Sequence, residues 1–210
     1  MSHLVLLGDS IFDNRVYVAP QPDVSNQVRA RLGPEWAVTL LAVDGHVTAD
    51  VTDRQLDRVP KEATHLVISV GGNDALGQSF ILGERASSVA EAVGRLAEAQ
   101  SRFSASYARM IDAVLSVGIP TAVCTIYDAH YPEPQRRLVV AALGLFNDVI
   151  SRAAFSRGLP LIDLRLICSE AEDYANPIEP SAKGGDKIAT VIAALVRDDA
   201  SARKRSTVWL

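Results

Sequence analysis

The sequence has few of the residues that build metal centres or disulfide frameworks. Its 210 residues include two cysteines and four histidines. A disulfide framework needs several cysteines at regular spacing, and neither Cys124 nor Cys168 has a cysteine or histidine neighbour at the spacing of zinc ligands. We therefore expect no disulfide framework, no bound metal and no cofactor. Cys124, which lies within an apolar segment, is expected to be a small buried hydrophobe.

The sequence also lacks a long apolar run and a strong excess of one charge. Its longest apolar stretch, residues 138–146, is far shorter than the roughly 20 residues that span a bilayer as a helix. The formal net charge of −4 does not favour a nucleic acid or an anionic membrane as partner. An apolar segment starts almost at the first residue, which leaves no room for a signal peptide. We therefore expect a cytoplasmic protein without a membrane span, and the oligomeric state stays open.

Strand and helix patterns alternate along the chain, and this alternation is typical of a parallel sheet covered on both faces. We predict an α/β protein with a flavodoxin-like three-layer α/β/α sandwich and a five-stranded parallel sheet. One domain is expected over residues 1–200, followed by a basic C-terminal tail at 201–210. The predicted strands are 3–7, 37–43, 65–70, 120–126 and 159–163. The predicted helices are 22–32, 47–58, 86–117, 135–157 and 182–196.

A serine follows the first predicted strand and is the first candidate nucleophile. Gly8, Asp9 and Ser10 come directly after the apolar run at residues 4–7. Open α/β sheets bind ligands at the carboxyl edge of their strands, so this position would present the Ser10 hydroxyl at a binding edge. Asp9 and Ser10 are also favoured helix N-caps, and capping alone is the alternative interpretation.

Two further strands end in residues that suit acyl-transfer chemistry. The predicted strand at 65–70 runs into Gly-Gly-Asn-Asp at residues 71–74, and the strand at 37–43 is followed by Asp44 and Gly45. Glycine allows tight turns and a close approach of the backbone to a ligand. The side-chain amide of Asn73 can donate a hydrogen bond to a developing oxyanion. Three successive strands therefore end in a serine, a glycine and an asparagine.

These blocks resemble those of the SGNH (GDSL-type) hydrolase family, which is named for its serine, glycine, asparagine and histidine. The resemblance implies that Ser10 attacks an ester carbonyl. It also implies that the oxyanion is held by the N–H groups of Ser10 and Gly45 and by the Asn73 amide. We further assign Asp9, His46 and His130 to substrate contact. The expected partner is a small-molecule ester.

The last block departs from the family pattern at its two catalytic positions. The family has Asp-x-x-His there, whereas this chain has Asn176 and Glu179, followed by Ser181 as the expected N-cap of the last helix. An imidazole becomes a cation when it accepts the serine proton, so an aspartate beside it helps. A carboxylate becomes neutral in the same step, and a second carboxylate would then only repel it. We therefore predict Glu179 as the general base, oriented by Asn176.

Other interpretations of the altered block stay open. His130, just beyond the predicted strand at 120–126, is an alternative base, although a lone loop histidine is commonly a solvated surface residue. Glu170, Glu172 and Asp173 are expected to form a solvated acidic loop, unless Asp173 approaches Glu179 and raises its pKa. A further interpretation is that the chain has lost catalysis and only binds its ligand in the same pocket. An acyltransferase on the same scaffold is also compatible with these residues, because a fold does not fix a reaction.

Overall fold

Five parallel strands form the central sheet of the protein, which a computed structural model describes over residues 1–198. Their spatial order is β2-β1-β3-β4-β5, and this confirms the predicted α/β fold with a five-stranded parallel sheet. The basic tail predicted at 201–210 lies outside the described residues. The strands are β1 (Ser2–Gly8), β2 (Trp36–Leu40), β3 (His65–Ser69), β4 (Thr121–Cys124) and β5 (Leu161–Ile162).

The register of the sheet brings the ends of the central strands together. Gly8 at the end of β1 pairs with Ser69 at the end of β3, and Leu6 pairs with Leu40 on β2. The prediction placed the end of β2 at residue 43, three residues beyond its observed end. Leu41 and Val43 nevertheless keep contact with β1, because their N–H groups donate to the carbonyl oxygens of Leu6 and Gly8. The segments that follow β1, β2 and β3 therefore begin at one edge of the sheet.

The strands are connected by helices, most of them where the periodicity predicts them. The prediction of one helix over 47–58 is wrong in detail, because this segment divides into α3, a π-helical turn over Val51–Gln55 and a 3₁₀ turn over Leu56–Arg58. The α-helices are α1 (Arg15–Val18), α2 (Val24–Leu32), α3 (Thr48–Asp50), α4 (Gly72–Leu76), α5 (Val89–Leu115), α6 (Gln135–Ser156), α7 (Leu164–Ile167) and α8 (Ala182–Val196).

Two apolar layers cover the two faces of the sheet. Leu4 and Leu6 of β1 face the layer that contains α2 and α8, whereas Val5 and Leu7 face the layer that contains α5 and α6. The two sets alternate along β1 because successive side chains of a strand point to opposite faces. All four side chains are fully buried. This arrangement confirms the predicted three layers.

Helix α6 is long and apolar. Within the described part of the chain it alone is long and apolar enough to cross a membrane, as judged by length and composition. Core helices of soluble proteins meet the same criterion, and in this structure α6 packs against α5, β4 and β5. Its buried residues include Leu143, Phe146 and Ile150. The absence of a membrane span stays a prediction.

A short hairpin precedes the last helix, in a segment where the sequence shows no clear periodicity. It consists of β6 (Tyr174–Asn176) and β7 (Glu179–Pro180), which are antiparallel and pair Asn176 with Glu179. Ser181 then caps α8, since its hydroxyl accepts a hydrogen bond from the Gly184 N–H at 3.1 Å. This contact confirms the predicted N-cap. The hairpin fixes the position of Glu179 relative to the sheet.

Candidate active site

Ser10 lies in a tight turn at the carboxyl end of β1. Gly8 has a φ of +124°, and a Cβ atom at this position would stand 1.8 Å from the carbonyl oxygen of Ser69. Only glycine fits such a close approach of two backbones. The Asp9 N–H then donates to the same Ser69 carbonyl at 3.0 Å. The chain therefore leaves the sheet sharply after Gly8 and places Ser10, with its side chain nearly buried, at the sheet edge.

Glu179 lies directly against Ser10 although 169 residues separate them in sequence. The Ser10 hydroxyl donates a hydrogen bond to Oε1 of Glu179 at 3.1 Å. Glu179 is 6% exposed, and its second oxygen, Oε2, is buried with no hydrogen-bond partner among residues 1–198. A nucleophile and a base within hydrogen-bond reach are the minimal unit of nucleophilic catalysis. The structure thus brings together the two residues that the sequence analysis assigned to proton transfer.

Three side chains hold the hairpin that carries Glu179. Asn176 accepts a hydrogen bond from the Ile178 N–H at 2.9 Å and so closes the turn between β6 and β7. Tyr127 donates its phenol proton to the Ile178 carbonyl at 2.6 Å. Asn14 donates to the Pro180 carbonyl at 3.1 Å and accepts from the N–H of Val24 at 3.0 Å. Asn176 therefore positions Glu179 through the backbone of the turn. The sequence analysis did not identify Asn14 and Tyr127, because each contacts a hairpin residue that is distant in sequence.

The surroundings of Glu179 favour its neutral form. Burial raises the pKa of the Glu179 carboxyl from 4.5 to about 7; the hydrogen bond from Ser10 opposes this rise and the charge of Asp44 adds to it. A carboxyl with a pKa near the working pH is a more effective general base than an ordinary glutamate. Its surroundings therefore bring the pKa of Glu179 close to neutral pH.

Asp9, assigned to substrate contact, is a second buried carboxyl at the site. Burial raises its pKa from 3.8 to about 8; the hydrogen bond from the Ile11 N–H opposes the rise and the charge of Glu179 adds to it. Burial therefore favours the neutral form of Asp9, and a neutral Asp9 does not repel an ionised Glu179.

The three predicted oxyanion donors come from adjoining turns. Asn73 donates one amide hydrogen to the carbonyl of His46 at 3.0 Å, which fixes the amide and leaves its second hydrogen available. Within residues 1–198, the backbone N–H groups of Ser10 and Gly45 make no hydrogen bond. Gly45 has a φ of +82°, a conformation that favours glycine. Ser10 and Asn73 line the cavity described below, whereas Gly45 does not belong to its lining.

A residue that the sequence analysis missed connects these turns. Gln55 is fully buried at the end of the π-helical turn, and its amide pairs with both the N–H and the C=O of Gly8, each at 2.8 Å. Its Nε2 also donates to Nδ1 of His46 at 2.9 Å. Because Nδ1 accepts, the His46 proton stands on Nε2. π-Helical turns occur frequently at functional sites, but a glutamine inside an ordinary helical pattern gave no such signal.

The two histidines assigned to substrate contact lie outside the cavity lining. His46 is held by Gln55, and its backbone carbonyl fixes Asn73. The His130 ring stacks on Tyr174 with ring centres 5.2 Å apart, and its backbone N–H donates to the Pro177 carbonyl at 2.8 Å. The structure shows no contact between His130 and Ser10 within the described chain. His130 thus lies beside the turn that presents Glu179.

The acidic segment before the hairpin is only partly solvated. Glu170 and Glu172 are exposed, as expected, but Asp173 is fully buried. Its Oδ2 accepts hydrogen bonds from Lys187 at 2.8 Å and from the Glu170 N–H at 3.0 Å. The expectation of a solvated Asp173 is therefore wrong, because the carboxylate anchors the hairpin to α8. Its approach to Glu179, the alternative interpretation, is not seen either: Asp173 faces Lys187.

A cavity of about 520 Å³ opens beside Ser10 and Glu179. The sheet edge forms one side of it, and the segment 72–83 together with α5 and α6 forms the others. Asp9, Ser10, Asn73 and Glu179 belong to its lining, which is otherwise mainly apolar. Within residues 1–198 there is no cluster of three or more histidine, cysteine, aspartate or glutamate side chains suited to a metal ion.

Solved structures with a similar fold are hydrolases by their titles. A lipase from a goat rumen metagenome has a TM-score of 0.73 at 16% identity, and the match covers 97% of this chain and all of that one, 100%. Phospholipase A1 from Streptomyces albidoflavus has a TM-score of 0.65 at 19% identity, with 95% and 99% covered. A carbohydrate acetylesterase from Sinorhizobium meliloti has a TM-score of 0.65 at 13% identity, with 94% and 99% covered. At these identities the likeness shows the shared fold.

The sequence itself matches a family model over most of its length. A search of curated proteins finds no match. The model of the GDSL-like lipase/acylhydrolase family, in contrast, matches residues 6–187, a segment that includes the strand ends, the cavity and the hairpin. The match starts four residues before Ser10 and ends within α8. The chain therefore belongs to the GDSL-like lipase/acylhydrolase family.

Proposed function

We propose that this protein is a serine ester hydrolase in which Ser10 is the nucleophile and Glu179 is the general base. The observation that carries the proposal is the 3.1 Å hydrogen bond from the Ser10 hydroxyl to Glu179 at the wall of a cavity. Membership of the GDSL-like lipase/acylhydrolase family supports ester hydrolysis as the reaction. The remaining steps follow from the geometry of the site.

In the first half-reaction the Ser10 oxygen bonds to the ester carbonyl carbon while its proton passes to Glu179. The carbonyl oxygen becomes an oxyanion, which the N–H groups of Ser10 and Gly45 and the free amide hydrogen of Asn73 can bind. Such donors typically lower the barrier by about 3–4 kcal/mol each. The tetrahedral species then collapses, the bond to the alcohol oxygen breaks, and neutral Glu179 returns its proton to the leaving alcohol.

In the second half-reaction a water molecule attacks the acyl-serine. Glu179, again a carboxylate, accepts a proton from this water as the new carbon–oxygen bond forms. Collapse of the second tetrahedral species breaks the bond to Ser10, whose oxygen recovers the proton from Glu179. The products are the carboxylic acid and the free enzyme, so the base is regenerated in each turnover.

The charge of Glu179 explains why the site needs no aspartate beside it. The negative charge moves from Glu179 to the oxyanion and back, so the total charge of the site is unchanged during the reaction. A histidine base would instead create a new cation that requires a carboxylate partner. Asn176 forms the turn that holds Glu179 and adds no charge.

The test compares hydrolysis of 4-nitrophenyl acetate by the wild-type protein and by Ser10→Ala and Glu179→Gln. We expect both variants to lose at least about a thousandfold in kcat. Glu172→Gln is the matched control, because Glu172 lies on the exposed segment outside the cavity lining. It should keep wild-type turnover.

Three results would contradict the proposal in different ways. Turnover that survives in Glu179→Gln but not in Ser10→Ala would remove Glu179 from the role of base, and His130→Gln would then test the alternative. No turnover above the Ser10→Ala background, with saturable ester binding, would support a non-catalytic binding protein. Transfer of the acyl group to an added alcohol faster than to water would identify an acyltransferase.

A further inference from the structure

The cavity beside Ser10 has its carboxyl groups at one end. Asp9, Ser10, Asn73 and Glu179 line it where the sheet ends. The walls away from this edge include the polar residues Gln78, Ser79 and Gln135. They are formed mainly by aliphatic and aromatic side chains of α5, α6 and the segment after β3, such as Leu96, Leu143, Phe146 and Ile81. An ester bond bound at Ser10 would therefore have an apolar space beside it.

Among residues 1–198, the cavity lining contains no lysine, arginine or histidine that could pair with an anion. Within the same range, Asp9 and Glu179 are its only carboxyl groups. The Tyr127 hydroxyl, a further polar group of the lining, already donates to the Ile178 carbonyl. A negatively charged group in the cavity would lose its hydration without gaining a cation among residues 1–198, and this loss disfavours its binding.

Two small residues on facing helices belong to the cavity lining. Ala99 of α5 and Ala142 of α6 both line it, and Ala99 is 2% exposed. At the mouth, Leu76, Leu82 and Leu138 line the cavity and yet are 45%, 41% and 55% exposed. The path from the mouth to Ser10 therefore runs between apolar side chains.

From these observations we infer that the cavity binds the aliphatic chain of an uncharged, medium-length acyl ester, and that Ala99 and Ala142 set the chain length it accepts. The inference rests on the proposed function, since it places the carbonyl at Ser10. It adds the class of the acyl group, on which the solved relatives differ by title, from an acetylesterase to lipases. Each methylene that leaves water for the cavity is expected to raise kcat/KM up to about fourfold.

The first experiment measures kcat/KM for three 4-nitrophenyl esters at pH 8: the acetate, the octanoate and the hemisuberate. The octanoate and the hemisuberate are equally long, but the hemisuberate ends in a carboxylate. We expect the octanoate to exceed the acetate by roughly a hundredfold, below the limit that six additional methylenes would give. The hemisuberate should be at least about tenfold poorer than the octanoate, because its charge would have to enter the cavity.

The second experiment reduces the cavity by placing a larger side chain on each of the two helices that line it. Ala142→Phe and Ala99→Leu should lower the octanoate-to-acetate ratio by at least about tenfold. Ala141→Phe is the matched control, since Ala141 is the exposed neighbour of Ala142 and does not line the cavity. It should keep the wild-type ratio. Melting curves of all variants show whether they fold, and the ratio of two substrates does not depend on the fraction of active protein.

The possible failures are distinguishable. Ser10-dependent hydrolysis with equal rates for acetate and octanoate, or with a ratio that both cavity variants leave unchanged, would overturn the inference and leave the proposed function intact. A hemisuberate that reacts as fast as the octanoate would overturn the exclusion of anionic acyl groups. If none of the three esters is hydrolysed above the Ser10→Ala background, the proposed function fails and this inference fails with it.

Discussion

Two buried carboxyl groups lie at either end of one short segment and have opposite surroundings. Asp173 precedes the hairpin, is fully buried, and accepts a hydrogen bond from Lys187 at 2.8 Å. Glu179 follows the turn, is 6% exposed, and accepts a hydrogen bond from Ser10 at 3.1 Å. Within residues 1–198 Glu179 forms no ion pair. The two groups have the same chemistry and similar burial, but only one of them has a cation.

The comparison shows how the fold assigns different tasks to one chemical group. At Asp173 the cation stabilises the carboxylate, and the backbone carbonyl of the same residue accepts the Ser181 N–H at 2.8 Å, so this end anchors the hairpin to α8. A Cβ atom on Gly184 would lie 2.2 Å from that carbonyl, which shows how closely α8 approaches. At Glu179 burial without a cation raises the pKa to about 7, which suits the proposed role of proton acceptor. One end of the segment therefore anchors the hairpin, and the other carries the proposed base.

The largest effect is expected when each of the two carboxyl groups is neutralised in turn. Glu179→Gln should lower kcat about 10³- to 10⁴-fold, because the serine loses its base. Asp173→Asn should leave kcat within about threefold of the wild type at a temperature at which the variant is folded. Initial rates of ester hydrolysis, normalised to folded protein by circular dichroism, measure both. Equal losses in the two variants would show that the two ends do not differ in function.

The second prediction concerns Asn73, one of the proposed oxyanion donors. Asn73→Ala should lower kcat about a hundred- to a thousandfold with little change in KM, because its amide is expected to bind the oxyanion that exists only in the transition state. The free energy of unfolding should change little, since the Asn73 side chain makes one hydrogen bond among residues 1–198. Steady-state kinetics and urea unfolding check the two parts. A KM that rises with an unchanged kcat would assign Asn73 to ground-state binding instead.

The third prediction tests the anchoring end by stability. Asp173→Asn should lower the free energy of unfolding by about 1–3 kcal/mol, a partial effect because the Lys187 side chain is 31% exposed and can recover hydration. Lys187→Met should have a similar effect, and the double variant should cost less than the sum of the two. Urea denaturation of the four proteins gives this coupling. Additive losses would show that the ion pair does not hold the hairpin.

The smallest expected effect concerns the pH dependence of the free energy of unfolding, to which the ionisation of Glu179 contributes. A carboxyl whose folded pKa is raised from 4.5 to about 7 favours folding as the neutral acid. Its contribution is complete below pH 4.5 and is lost as the pH rises through 7. Glu179→Gln should therefore remove this decline, about 2 kcal/mol between pH 5 and pH 8, which a comparison of unfolding free energies at the two pH values measures.

The activity should respond to the same ionisation in the opposite direction. In the wild type, kcat/KM should rise with pH up to about 7, because Glu179 must be ionised to accept the proton. In His130→Gln, kcat/KM should rise at the same pH as in the wild type. A rise near pH 4.5, or one whose pH changes in His130→Gln, would contradict the assignment of Glu179 as the base.

Much of the fold could be predicted from local patterns. Buried parallel strands are short apolar runs, and the strand that ends before Ser10 and the one that ends before Gly71 were located to within one residue at their carboxyl ends. The segment at 47–58 was less predictable, because its π-helical turn depends on Gln55 pairing with the distant Gly8. The hairpin around Asn176 was also missed, because two and three residues per strand are too few for a periodicity.

Local sequence patterns are enough to predict the order of strands and helices, the turns after three strands, and the residues at those turns, because each of these depends on neighbours along the chain. The sequence also contains no histidine after His130, which is why a carboxylate is the proposed base. The surroundings of the acidic residues, in contrast, follow from the tertiary structure. It placed Glu179 against Ser10 without a cation and Asp173 against Lys187. Burial without a cation is what raises the pKa of Glu179, and burial depends on contacts between distant parts of the chain.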